Sequence, residues 1–342
     1  MLRPSLQPYV LICVWQGDAE ARPGFSMIVN RLLLLISLAL VLTGARHSLS
    51  SDPEGANVVA KAGLVGQTRQ QHFGRETAPF DFKVIPGTQA AFDRVQPLMT
   101  GLTVDQIVAT LAVHFLGTPY AAFSLDASPQ ELVQLDLTRF DCMLFVEQLL
   151  ALASSRSWNG FAEVTKQLRY ASGEVGYCSR HHYFHHWGRA AERAGLVNDI
   201  TKDLPGQQSR TLKLNYMSTH PELYAPLRNQ STLACITQLE QDYDVVQNYI
   251  PNSSLNQVSS FLRSGDLFAV ATSVQGLDVT HMGVIVTDDS AVSAVHAVPG
   301  QGVVRSKPFH RYVQSVPESI GAVILRPRSV VQKSRVQEQP GT

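Results

Sequence analysis

The sequence has no excess of charge of either sign and little charge altogether. Its 28 basic residues balance 28 acidic ones, and charged residues make up 16% of the 342-residue chain. No sustained basic stripe is present that would neutralise the phosphates of a nucleic acid. These features argue against nucleic acid as the main partner. A hydrophobic content of 44% is instead typical of a globular protein of one large domain or two small ones.

Long hydrophobic runs are also missing. The apolar run at residues 32–42 is short for a membrane span, which needs about 20 residues. Arg31 precedes this run and small residues up to Ala45 follow it, which is the layout of a secretory signal peptide. We therefore expect residues 27–45 to be a signal peptide and residues 1–26 to be a mis-called start. An uncleaved N-terminal anchor is the alternative.

The expected product is an exported protein of the periplasm or cell envelope without a stable membrane anchor. Ala45 stands where a lipoprotein would carry its lipidated cysteine, so a lipid anchor is not expected. Residues 46–78 and 329–342 are polar and without periodicity, which predicts a disordered linker and tail. No internal repeat is visible in the sequence, and residues 79–328 are predicted to form the folded domain.

Cysteine is scarce, with four residues in the whole chain. Cys13 lies upstream of the predicted signal, so the mature chain would contain an odd number, namely Cys142, Cys178 and Cys235. A bridge between Cys178 and Cys235 is one possibility that spacing alone does not establish. Cys142 is then the cysteine that needs an explanation.

Helices are predicted early in the domain and strands later. Thr103 and Gln106 have capping-box spacing at the start of a periodic apolar segment that Gly117 ends. The alternation within residues 131–140 predicts a half-buried strand. Four short runs rich in β-branched residues follow: SGDLFAVAT, VTHMGVIVT, AVSAVHAV and IGAVILRP. Consecutive strands joined by short loops predict an antiparallel sheet, and the whole order predicts an α+β domain.

Cys142 lies at the predicted start of a helix. Asp141 is a good N-cap, and the apolar stripe of the following helix includes Cys142, which turns its sulfur toward the protein interior. A helix N-terminus and a nearby histidine both favour the nucleophilic thiolate. The sequence leaves two interpretations open here, a small buried residue and a nucleophile.

Two histidines interrupt apolar strands further along the chain. His281 shares a strand face with Gly283, and a glycine at that point lets another group approach closely. His296 lies on the next predicted strand, so a hairpin would bring the two rings together. His296 would then orient His281 as the third member of a catalytic triad. Each histidine taken alone is more typical of a hydrogen-bonded core residue; together with Cys142 they favour the triad.

These segments resemble the NlpC-type superfamily of papain-like peptidoglycan cysteine hydrolases. Further segments are similar to its N-acetylmuramoyl-L-alanine amidase-like branch, over most of residues 100–327: LGTPYAAFSLD, RFDCMLFVEQLLAL, SRHHYFHHW, VNDIT, YIP, GLDVTHMG and IGAVILRP. The resemblance implies a papain-like α+β fold whose nucleophile sits at a helix N-terminus packed on an antiparallel sheet. The chain departs from the usual pattern at Leu144, where the family has threonine. It departs again at His185 and His186, where the family has a Ser-Asp pair.

The resemblance also implies roles for particular residues. Cys142 would be the nucleophile, His281 the general base and His296 the orienting residue, with no cofactor. The substrate-lining residues would be Tyr120, Asp141, Arg180, His182 and Tyr183. The implied reaction cleaves the amide bond between the muramoyl group and L-alanine in peptidoglycan fragments. The alternative on the same fold is an endopeptidase that cuts between D-glutamate and the diamino acid.

A cluster of histidines offers a different chemistry. His181, His182, His185 and His186 have i,i+4 spacing, which on a helix would resemble a zinc site. The carboxylate base of the familiar zinc-hydrolase helix is missing and no closed ligand set is evident, so no metal is expected. A zinc hydrolase and a non-catalytic glycan-binding module are the two remaining alternatives. The sequence does not predict the oligomeric state.

Overall fold

The structure is a computed structural model that describes residues 82–127, 130–241, 244–289 and 291–328. The predicted start site, signal peptide, linker and C-terminal tail lie outside these residues. No described helix is both long enough and apolar enough to cross a bilayer.

Eight α-helices and ten strands occur in the described residues. The helices are α1 (Thr88–Val95), α2 (Val104–His114), α3 (Cys142–Ser155), α4 (Trp158–Arg169), α5 (Phe184–Arg193), α6 (Tyr216–Thr219), α7 (Gln230–Gln241) and α8 (Phe309–Ser315). The strands are β1 (Phe82–Val84), β2 (Val133–Leu135), β3 (Val197–Asp199), β4 (Gln208–Leu212), β5 (Val245–Pro251), β6 (Leu267–Thr272), β7 (Val279–Asp288), β8 (Ala291–Val298), β9 (Gly302–Ser306) and β10 (Ser319–Pro327).

The main sheet is antiparallel, as the sequence predicts. Its strands lie in the order β4-β5-β10-β6-β7-β8-β9, and β3 pairs with β10 beside this path. The four apolar runs become β6, β7, β8 and β10, and three of them are almost completely buried because helices cover one face and α8 covers the other. The α+β class is therefore confirmed.

Helix α3 is the central helix of the domain. Asp141 caps it, accepting a hydrogen bond from the Leu144 amide at 2.7 Å. The helix packs against α2, α4, β7 and β8, so its residues from Leu144 to Ala153 are all buried. Glu147 is among them, and its charge is balanced by an ion pair with the buried Arg169 of α4. This packing fixes the first turn of α3 against the sheet.

The predicted half-buried strand at residues 131–140 is wrong in length and in burial. Only β2 forms there, and it pairs in parallel with β1. Gln134 and Asp136, expected to face solvent, are 5% and 3% exposed. The backbone carbonyl of Gln134 accepts from Arg169 at 2.8 Å, although the buried side-chain amide nitrogen of Gln134 has no partner in the described residues. The Asp136 carboxylate accepts from Thr138.

Cys178 and Cys235 form a disulfide, the bridge that spacing left open. It joins the segment before α5 to helix α7, across 57 residues of sequence. Cys142 is also disulfide-bonded in the structure. The capping box at Thr103 and Gln106 forms as predicted.

Candidate active site

Cys142, the candidate nucleophile, is the first residue of α3 and is 1% exposed. The partial positive charge of the helix N-terminus favours a thiolate at this position. The N-cap carboxylate of Asp141 acts in the opposite direction, and burial raises its pKa to about 6. The local electrostatics of the sulfur are therefore set by a helix start and by a buried carboxyl group whose pKa is raised.

His281 and His296 lie side by side on β7 and β8, as the predicted hairpin requires. His281 Nε2 is 2.9 Å from His296 Nδ1, and the two rings meet at 89°. The register pairs Val284 with Val295, which sets Gly283 opposite His296 at the next position. A Cβ on Gly283 would lie 2.8 Å from the Cβ of His296 and 2.6 Å from the Val295 carbonyl oxygen, so the glycine allows this close approach of β8.

The rings of both histidines also approach α8: the ring centroid of Tyr312 is 6.1 Å from that of His281 and 4.2 Å from that of His296. His281 Nδ1 is buried and makes no hydrogen bond within the described part of the chain. His281 and Cys142 both line a small cavity of about 30 Å³ between α3 and β7. One ring nitrogen of His281 is thus bonded to a second histidine and the other has no partner in the described residues, while the residue itself lines the cavity that Cys142 also lines.

Burial keeps both rings neutral at ordinary pH. It lowers the pKa of His281 to about 3, and it lowers the pKa of His296 well below its usual value, with a smaller contribution from His281. A neutral imidazole carries one proton and one lone pair, so His281 is able to accept a proton.

Ser306 extends this arrangement and was missed by the sequence analysis. Its hydroxyl oxygen is 3.0 Å from His296 Nε2, on the neighbouring strand β9. A serine near the end of an ordinary strand carries no sequence signal for such a role. Only the pairing of β8 with β9 brings it to the histidine.

A larger cleft of about 130 Å³ adjoins the small cavity. The two spaces share Met143, His181 and His182 as lining residues. Four of the five residues expected to contact the substrate line the cleft: Tyr120, Asp141, Arg180 and His182. The structure therefore brings the expected substrate-lining residues next to Cys142.

The contacts of Arg180 are with the protein itself. Its guanidinium pairs with Asp126 at 2.7 Å and with Glu131 at 2.6 Å, and all three side chains are largely buried. These two carboxylates balance its charge, and the triangle holds the loop at residues 120–127 against the cleft. Arg180 accordingly shapes the cleft wall in this structure.

His182 and Tyr183 are also engaged. His182 Nε2 is 2.7 Å from the carbonyl oxygen of Tyr177, and burial lowers its pKa to about 3. The Tyr183 hydroxyl donates to Glu240 of α7 at 2.5 Å and accepts from the Met217 amide. Tyr183 thus borders the small cavity, while its hydroxyl points into a separate cluster of packed side chains.

The comparisons with known proteins decide the family. The model of N-acetylmuramoyl-L-alanine amidase-like proteins matches residues 110–321, more than half of the chain. The chain belongs to the N-acetylmuramoyl-L-alanine amidase-like family. This membership supports a hydrolase, with peptidoglycan-type material as the implied substrate.

Solved structures agree with the family match. An N-acetylmuramoyl-L-alanine amidase from Bacteroides uniformis is 29% identical, with a TM-score of 0.63, and the match covers 66% of this chain and 99% of that one. A protein from Bacteroides fragilis described as a candidate xylanase is also 29% identical, with a TM-score of 0.57 over 64% of this chain and 99% of that one. A Legionella pneumophila protein, 19% identical with a TM-score of 0.57 over 70% of this chain and 95% of that one, shares the fold. No curated protein matches the sequence.

Asp278 is a second residue of the candidate site that the sequence analysis did not single out. Its carboxylate is buried, lines the small cavity, and accepts hydrogen bonds from the amides of His185 at 2.6 Å and Val279 at 2.9 Å. Burial raises its pKa to about 6. The only available signal was its place three residues before His281.

The histidine cluster does not form the predicted helical pairs. Helix α5 begins at Phe184, so His181 and His182 precede it and only His185 and His186 are helical. The helical spacing does not apply because the backbone at His181 is not helical. Its amide donates to the Arg169 carbonyl oxygen, next to the antiparallel β-bridge between Tyr170 and Arg180. Among the described residues no group of three or more ligand-type side chains is arranged to hold a metal ion.

Proposed function

We propose that this chain is an exported cysteine amidase of the NlpC-type papain-like superfamily. It hydrolyses the amide bond between the N-acetylmuramoyl group and L-alanine in peptidoglycan fragments. Cys142 is the nucleophile, His281 the general base and His296 the residue that orients it. The observations that carry this proposal are that Cys142 and His281 line the same small cavity, and that His281 is bonded through Nε2 to His296 while its Nδ1 makes no hydrogen bond within the described residues.

The reaction begins with transfer of the Cys142 thiol proton to His281 Nδ1. The thiolate attacks the carbonyl carbon of the muramoyl lactyl group, and the carbonyl oxygen becomes an oxyanion. Backbone N–H groups at the start of α3 would stabilise that charge. Breakdown of the intermediate cleaves the C–N bond, and the imidazolium of His281 gives its proton to the leaving amine of L-alanine.

A thioester between Cys142 and the lactyl group remains. His281, neutral again, takes a proton from water as the water attacks the thioester carbonyl. Collapse of this second intermediate breaks the C–S bond, returning the proton to the sulfur and releasing the carboxylic acid.

This chemistry requires Cys142 as a thiol. The disulfide-bonded form of Cys142 therefore corresponds to an inactive state, and reduction at this sulfur is part of the proposal. Cleavage after the predicted signal peptide would remove Cys13, and Cys178 and Cys235 are paired with each other. No other cysteine of the same processed chain would then be left to pair with Cys142. The processed chain is consequently the form to assay.

The adjoining cleft supports a bulky substrate. Tyr120, Asp141, Asp126 and Arg180 line it, and Asp141 is the N-cap of α3. A sugar and a short peptide can extend from the scissile bond only along such an open cleft, since the small cavity is closed by packed side chains.

The test is a digest of defined muropeptides by the reduced, processed chain, analysed by mass spectrometry. The expected products are the free glycan and an intact peptide that begins with L-alanine. A glycan that keeps an L-alanyl-D-glutamate stub, together with a released peptide that begins at the diamino acid, would instead identify the endopeptidase alternative. Cys142→Ala is the control and should abolish turnover. Activity that survives this substitution but is lost with a chelator would overturn the cysteine mechanism.

A further inference from the structure

We propose that Ser306 is a positioning residue that fixes the tautomer of His296 and, through it, leaves the lone pair of His281 on the Nδ1 side. This inference rests on the proposed function, because it concerns how the base of that reaction is prepared. Ser306 is not among the lining residues of the cleft or of the small cavity. Its side-chain hydroxyl contacts Nε2 of His296.

The three residues form a diagonal line across three strands. His281 is on β7, His296 on β8 and Ser306 on β9, and each is displaced by two positions from the residue directly opposite its neighbour. Diagonal neighbours on one face of a sheet lie within reach of long side chains. The contacts are 2.9 Å from His281 Nε2 to His296 Nδ1 and 3.0 Å from His296 Nε2 to the Ser306 hydroxyl oxygen.

Hydrogen-bond polarity along this line can run in two directions, and the two have different chemical consequences. For His281 Nδ1 to accept a proton, the proton of the neutral ring must be on Nε2, which then donates to His296 Nδ1. His296 must accept at Nδ1, so its own proton is on Nε2. The Ser306 oxygen is the acceptor that this proton requires.

The opposite polarity is unproductive. If His296 carries its proton on Nδ1, it donates to His281 Nε2, and the proton of His281 then occupies Nδ1 and blocks the base. Loss of the Ser306 hydroxyl would leave the Nε2–H of the buried His296 ring without this acceptor, a costly state that shifts the balance toward the unproductive tautomer.

The first measurement compares Ser306→Ala with Ser306→Thr and with Ser293→Ala. The expected result is a loss of about 10- to 100-fold in kcat for Ser306→Ala, with KM nearly unchanged. Ser306→Thr keeps the hydroxyl and should restore most of the rate. Ser293 is the matched control, a buried serine of β8 whose hydroxyl has no hydrogen-bond partner in the described residues. Its replacement should leave kcat within twofold.

A double-mutant cycle separates positioning from a structural effect. If Ser306 acts through His296, then Ser306→Ala should cause no further loss in a His296→Ala background. An equal loss in both backgrounds, or a kcat for Ser306→Ala within twofold of the wild type, would overturn the proposal.

Imidazole ¹⁵N NMR reads the tautomers directly and does not depend on turnover. His296 Nε2 should show the chemical shift of a protonated ring nitrogen in the wild type and in Ser306→Thr, and that of an unprotonated one in Ser306→Ala. Unchanged shifts in Ser306→Ala would overturn the inference. Altered shifts in a chain that cleaves no muropeptide would uphold the tautomer control while refuting the proposed function.

Discussion

Gly283 on β7 lies opposite His296 on β8, and the absence of a side chain on Gly283 leaves room for His296. A Cβ on Gly283 would lie 2.8 Å from the His296 Cβ and 2.6 Å from the Val295 carbonyl oxygen. Such contacts are closer than real Cβ atoms tolerate. The glycine is thus a structural requirement for the histidine pair.

Gly283→Ala is accordingly predicted to separate His281 from His296. The expected outcome is a loss of stability of about 1–3 kcal/mol from overpacking, together with a fall in activity larger than the fall in folded fraction. Thermal unfolding and the muropeptide digest measure the two effects. The control is Gly188→Ala in α5, where the nearest atom is 3.7 Å away and helix propensity favours alanine. Equal behaviour of the two variants would contradict this account of Gly283.

The disulfide between Cys178 and Cys235 is predicted to contribute about 4 kcal/mol of stability, given the 57 residues between them. Replacing both with serine should lower the midpoint of urea unfolding in oxidising buffer. In reducing buffer the wild type and the variant should converge, because both lack the bridge there. A difference that persists in reducing buffer would show that the serines disturb packing instead.

Arg180 is predicted to stabilise the cleft wall, because its removal strands two largely buried carboxylates. Arg180→Met should cost about 3 kcal/mol of unfolding free energy. The matched control is Arg189→Met, which breaks a solvent-exposed pair with Glu192 in α5 and should cost less than about 1 kcal/mol. If Arg180→Met and Arg189→Met lower the free energy of unfolding by similar amounts, the ion pairs of Arg180 do not stabilise the cleft wall, and its guanidinium is available to bind a ligand.

The buried carboxyl of Asp278 predicts a pH-dependent stability. Burial raises its pKa from the ordinary value of 3.8 to about 6, so the folded state binds the proton more tightly than the unfolded state. The resulting stabilisation is complete below pH 4 and is lost as the pH rises through about 6. Asp278→Asn stays neutral, so its stability relative to wild type should rise over this interval by up to about 3 kcal/mol. A difference that is constant from pH 4 to pH 7 would contradict the burial of a charge at this position.

Much of the fold could be predicted because local patterns agree with the tertiary structure. The runs that become β6, β7, β8 and β10 combine β-branched residues with turn signals, and Asp141 marks the start of α3. The strand at residues 131–140 was mispredicted because its polar residues Gln134 and Asp136 are buried, where Asp136 pairs with Thr138 and Arg139 and the Gln134 backbone accepts from the distant Arg169. Alternating polar and apolar residues identify the buried face of a strand only when the polar side chains face water.

Residues of the candidate site could be picked out where a reactive residue type stands at an unusual position in the local sequence. They could not be picked out where only strand pairing brings them to the site. Cys142 follows a capping residue, while His281 and His296 interrupt apolar strands, so each is conspicuous in the sequence. Ser306 and Asp278 are ordinary residues that acquire a place at the site only through the β8–β9 register and the approach of α5. The histidine cluster misled because a helical spacing means nothing where the chain is not helical.

The central claim is that the imidazole of His281 activates the sulfur of Cys142. Its most direct test is the rate of Cys142 alkylation by iodoacetamide near neutral pH, with the modified site identified by peptide mass spectrometry in the reduced chain. We predict rapid alkylation in the wild type and a rate at least about tenfold lower in His281→Ala, because the base that generates the thiolate is gone. Equal rates in the two proteins would contradict the account.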